Sequence, residues 1–115
     1  TRNLTRAVDY CGVKSGRDTD KFKDMNLSIL SADKVKAPLI KESPVNMECC
    51  VKQTLRLGTH DMYVAEVVAV HADETYMDEK GRFLFENADP IAYSHGSYFT
   101  LGEKLGTFGY SVKKR

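Results

Sequence analysis

The sequence predicts a single mainly β domain with short helices, a β-barrel of α+β character that lacks the strands to close. Three observations predict it. Residues Val45 to Leu57 alternate apolar and polar with a period of two, the mark of a strand with one buried and one wet face. Residues Met62 to Val70 are apolar on both faces apart from Glu66, as in a central strand covered on each side. Turn-forming residues Gly58-Thr59-His60-Asp61 lie between them, so the two runs predict a long antiparallel hairpin suited to a barrel wall.

The elements follow in order. Asn3 is a good N-cap, and Leu4, Ala7, Val8 and Cys11 fall at i, i+3, i+4 and i+7, predicting a short amphipathic helix ended by Gly12. Asp18 or Thr19 is suited to cap a second short helix that buries Phe22 and Met25. Pro38 and Pro44 bracket Leu39-Ile40, a short edge strand within an otherwise irregular stretch. In the long strand, Val45, Met47, Cys49 and Val51 are expected on the buried face, with Asn46, Glu48 and Cys50 in water. Gln53 alone breaks the alternation. Met62 to Val70 is expected to sit deepest of all. Asp78-Glu79-Lys80-Gly81 predicts a further turn, and Ile91 to Val112, rich in Gly, Tyr and Phe, predicts strand and extended loop. Two long strands and a few short ones cannot close a barrel, and stable sheets need three or more packed strands.

Composition narrows the function classes. The 115 residues make one domain, 1–115, and a formal net charge of +1 is too balanced for a nucleic-acid binder. The basic tail Lys113-Lys114-Arg115 reads as a solvated end. No stretch approaches the roughly 20 apolar residues of a membrane span, so no membrane association is expected. Cys11, Cys49 and Cys50 are an odd number of thiols without metal-ligand spacing, and neighbours on a strand point to opposite faces. Reduced thiols and a cytoplasmic location are the expectation. The start, Thr1-Arg2-Asn3-Leu4, has neither an initiator Met nor a signal-peptide pattern, and reads as a chain entered partway through.

Three segments carry candidate chemistry. Ser15-Gly16-Arg17 places a hydroxyl, a permissive glycine and a guanidinium just before a helix start, a combination suited to an anion, with Lys21 one helical turn from Arg17. An ordinary capped turn with a solvent-facing Arg explains the same residues. His60 stands at a hairpin tip beside Asp61, where turn chemistry alone accounts for Gly58 and Asp61. His95 and Tyr98, separated by Gly96 and Ser97, can present aromatic and hydrogen-bonding groups to a flat heteroaromatic ligand; the alternative is an aromatic-rich strand with an exposed His. His71, at the end of an apolar strand, reads as structural. The three His are scattered, and neither a metal motif nor a catalytic triad or carboxylate pair is evident, so no catalytic residue is assigned.

Four segments together have a familiar pattern. They are Asn3-Leu4-Thr5-Arg6-Ala7-Val8-Asp9-Tyr10-Cys11-Gly12; Ser15-Gly16-Arg17 through Asp20-Lys21-Phe22; Glu42-Ser43-Pro44-Val45-Asn46-Met47-Glu48-Cys49 with Gly58-Thr59-His60-Asp61-Met62-Tyr63-Val64-Ala65-Glu66-Val67; and Ala92-Tyr93-Ser94-His95-Gly96-Ser97-Tyr98-Phe99-Thr100-Leu101-Gly102. In this order and spacing they resemble the flavin-reductase-like, FMN-binding split β-barrel family, especially its flavoredoxin-type members, over nearly the whole chain.

The resemblance implies FMN as cofactor, with Ser15, Gly16, Arg17, Lys21, His60, His95 and Tyr98 as cofactor-binding positions. It implies NAD(P)H as electron donor, a homodimer, and a redox partner protein in the flavoredoxin-type members. Family members often carry Gly-Asp-His where this chain has Gly-Thr-His-Asp, which loosens the transfer at His60. They also begin earlier, with strands that carry much of the flavin surface, so this chain corresponds to the C-terminal portion of the domain. Three expectations result: an NAD(P)H:flavin oxidoreductase, an electron carrier with tightly held FMN, or a remnant that no longer binds flavin.

Overall fold

The computed structural model describes residues 1–113; Lys114 and Arg115 of the basic tail lie outside the described residues. A 3-10 turn, Arg2–Leu4, runs directly into α1, Thr5–Val13. Asn3 therefore sits inside the turn and caps nothing, and Gly12 lies within α1, which ends at the extended Lys14. A second helix, α2, spans only Lys21–Asp24. Its N-cap is Asp20, whose carboxylate accepts from the Lys23 amide, in place of the expected Asp18 or Thr19. The Tyr10 hydroxyl donates to Asp24 Oδ2 at 2.6 Å and ties the two helices together. Phe22 and Met25 are half-buried.

The strands pair into three antiparallel two-stranded sheets. Strand β1, Ile29–Leu30, pairs with β2, Leu39–Ile40, the short strand between the prolines. Strand β3, Val45–Arg56, pairs with β4, Asp61–Ala72, across the predicted turn. Strand β5, Ile91–Ser94, pairs with β6, Ser97–Thr100. The β5–β6 turn is His95-Gly96 with φ of +50° and +79°, the left-handed pair that a two-residue hairpin loop requires. Asp78 to Gly81 turns as expected, with Asp78 Oδ1 accepting from the Lys80 and Arg82 amides. The fold is thus mainly β with short helices, and its sheets are not closed.

Two irregularities shape the long hairpin. The register passes from Glu48↔Ala69 to Cys49↔Val67, and from Val51↔Ala65 to Gln53↔Val64. Val68 and Lys52 are the extra residues, so each strand carries one bulge. The second bulge adjoins Gln53, where the sequence alternation breaks.

The burial of the hairpin inverts the expectation. Met47 and Val51 are 63% and 57% exposed, whereas Glu48, expected in water, is 1% exposed. Strand β4 is not the deepest segment either: Tyr63, Val64, Val67 and Val70 are all exposed. The period of two identifies which residues share a face, but not which face the chain covers. Here the amides of Asp33, Lys34 and Val35 meet Glu48 on one side, and Met47 and Val51 on the other are left open. Leu39 and Ala88 are the buried hydrophobic residues among those described.

Candidate functional site

Three elements converge on one cleft. Helix α1 contributes Val8, Asp9, Gly12 and Val13, the β3–β4 turn contributes His60, and the β5–β6 hairpin contributes Tyr93, Gly96 and Tyr98. The cleft is open to solvent and encloses about 570 Å³. Its aromatic wall is set by register. Tyr93 and Tyr98 stand directly opposite on β5 and β6, with ring centroids 5.1 Å apart and planes tilted by 57°. The Tyr98 hydroxyl donates to Asp9 Oδ1 at 3.1 Å, joining hairpin to helix. Burial, and then the bond to Asp9, raise the Tyr98 phenol above its ordinary pKa.

The sequence-predicted residues fall into two groups. His60 and Tyr98 meet in the aromatic cleft; His95 is exposed at the turn beside Gly96. His60 is held by its own turn: its carbonyl accepts from the Leu57 amide, and its Nδ1 lies 2.9 Å from Thr59 Oγ1. Gly16, Arg17 and Lys21 line a separate shallow depression past α1, and Ser15 is not among the residues that line it.

Within that loop the donors are unequal. Ser15 Oγ accepts from the Arg17 amide, and the Ser15 carbonyl accepts from Thr19 Oγ1. Lys21 Nζ donates to the Cys11 carbonyl at 2.6 Å, so its charge serves the C-terminal turn of α1. The first turn of α2 already holds the Asp20 carboxylate. Arg17 is exposed and forms no salt bridge among the described residues, which leaves its guanidinium as the cation open to an anion. The cleft offers an aromatic wall to a planar ring, and the loop past α1 offers a cation to an anionic group.

Sequence reasoning missed three residues here. Tyr93 was legible: once His95-Gly96 is a two-residue turn, Tyr93 must face Tyr98. Asp9 had no local signal, because its partner is 89 residues away. Glu48 was assigned to water by alternation alone. Its oxygens accept from the Asp33, Lys34 and Val35 amides at 2.8, 2.6 and 3.0 Å, and from His71 Nε2 at 2.6 Å. Burial alone would raise its pKa, but these donors outweigh it and lower the carboxyl to about 2. The Glu48 and His71 ligand atoms lie within 4.8 Å of the Asp33 carboxylate, but Glu48 is already satisfied by backbone amides and the imidazole. The structural reading of His71 agrees with this contact.

Known proteins place the chain. The flavin reductase like domain family matches residues 2–102. A flavoredoxin of Desulfovibrio vulgaris (Miyazaki F) superposes with a TM-score of 0.87 at 26% identity, over 98% of this chain and 61% of that one. A flavoredoxin from Methanosarcina acetivorans gives 0.80 at 30% identity, over 96% and 61%. An uncharacterized protein of Archaeoglobus fulgidus is 32% identical over 80 residues, covering 70% of this chain and 45% of its own length. The chain thus spans about half to three-fifths of the length of these relatives. No described helix is long and apolar enough to cross a membrane. With its family pattern matched over residues 2–102 and its fold shared with two flavoredoxins, the chain belongs to the flavin reductase like domain family.

Proposed function

We propose that this chain is the FMN-binding portion of an NAD(P)H:flavin oxidoreductase that works as a cytoplasmic homodimer. The observation that carries this reading is the cleft in which the Tyr93–Tyr98 wall faces α1 and His60. A flat heteroaromatic ring gains most from such a wall, since tilted aromatic groups add to the apolar surface it buries. Bound FMN would supply the hydride-accepting centre. The chain's contribution is to hold the ring against Tyr98, leave the mouth of the cleft open to a nicotinamide, and engage the phosphate through Arg17. A proton-transfer residue is not required of it.

The likeness to two flavoredoxins favours a second reading, an electron carrier that holds FMN and exchanges electrons with a protein partner. Anaerobic NADH or NADPH added to the FMN-loaded chain separates the two. Bleaching of the flavin without any partner protein is expected for the reductase. Flavin that stays oxidised with both nucleotides contradicts it and leaves the carrier.

A further inference from the structure

One contact in the cleft joins parts of the chain that are remote in sequence. Asp9, on α1, accepts the Tyr98 hydroxyl from β6 at 3.1 Å. Tyr98 is half-buried and packs on Tyr93, whose ring is 67% exposed. A phenol bonded at its oxygen favours one rotamer, so the bond to Asp9 restrains the Tyr98 ring against Tyr93.

We propose that Asp9 is a positioning residue. By holding Tyr98 it sets the aromatic wall for a planar ring. This rests on the flavin reading of the cleft. It adds a residue that acts through Tyr98.

The test is a fluorescence-quenching titration of the 115-residue chain with FMN and, separately, with riboflavin, which has the same ring and no phosphate. Asp9→Ala and Tyr98→Phe are each expected to weaken both flavins by about five-fold, the scale of one lost hydrogen bond, and to shrink the visible band shift of bound flavin. The double variant is expected to be no worse than either single one, because the two residues act as a unit. Asp9→Asn keeps an accepting oxygen and is expected to stay within about two-fold of wild type. Arg17→Ala is expected to weaken FMN and leave riboflavin unchanged.

Asp9 is exposed, so its substitution leaves no buried cavity, and an unchanged thermal midpoint separates positioning from loss of fold. Wild-type affinity in Asp9→Ala, additive losses in the double variant, or a loss confined to FMN would overturn the positioning role while leaving flavin binding intact. A wild-type chain that quenches neither flavin would overturn both readings.

Discussion

A carboxylate removed from water needs donors to replace the water, and Glu48 has the Asp33, Lys34 and Val35 amides and the His71 imidazole. Because the partner is an ionised carboxylate, the hydrogen-bonded Nε2 of His71 must carry the proton. Glu48 thereby pins residues 33–35 across β3, and Asn46 does similar work nearby by bonding both the amide and the carbonyl of Ile40. Glu48→Gln presents an NH₂ to donors that need an acceptor, and is expected to lower the thermal midpoint by several degrees at pH 7. The folded pKa of Glu48 is depressed to about 2 from an ordinary 4.5. Its contribution is therefore full above pH 4.5 and fades as pH falls toward 2. The gap between wild type and Glu48→Gln in thermal melts should narrow from pH 7 to pH 3. A constant gap would show that ionisation of Glu48 is not what holds the loop.

Among the elements, the β5–β6 hairpin is the one whose geometry most directly makes the site. Its turn needs two left-handed residues, and Gly96 adopts φ +79° without strain. A Cβ at Gly96 would meet nothing within 4 Å, so a substitution there reports backbone strain alone. Gly96→Ala is expected to cost about 1 kcal/mol in urea unfolding. No measurable change would mean that the turn relaxes into another form. This hairpin also shows what the sequence could convey. The β3–β4 hairpin, the strand between Pro38 and Pro44 and the break at Gln53 were legible, because turns and periodicity are local. Helix caps were not, since Asn3 and Asp18 suit a cap as well as the residues that surround the real boundaries. The covered face of β3 was illegible for a different reason: burial depends on which segment arrives, and residues 33–35 arrive on the polar side to bind Glu48. The site divided in the same way. His60 and Tyr98 were found from their own segments, while Asp9 required knowledge of a contact spanning most of the chain.

The molecule as a whole is more open than its mass warrants. Its radius of gyration is 17.1 Å, against roughly 13 Å for a compact chain of this length. It exposes 9925 Å², against roughly 6300 Å² for a folded monomer of 12.9 kDa. The apolar side of β3–β4 is among the exposed surfaces, with Met47 opposite Val70 and Cys49 opposite Val67. Each described sheet also has two unpaired edges. Both features are relieved by a second copy or by further strands, and for the chain as it stands the expectation is a homodimer. Light scattering at micromolar concentration should give twice the 12.9 kDa chain mass, and the monomer mass would contradict this. In the proposed function the Tyr93–Tyr98 cleft and the Arg17 loop together hold a flavin. The most direct test is the visible spectrum of the purified chain after FMN is added and the excess removed. Retained flavin with shifted bands is the predicted result, and a colourless protein would contradict it.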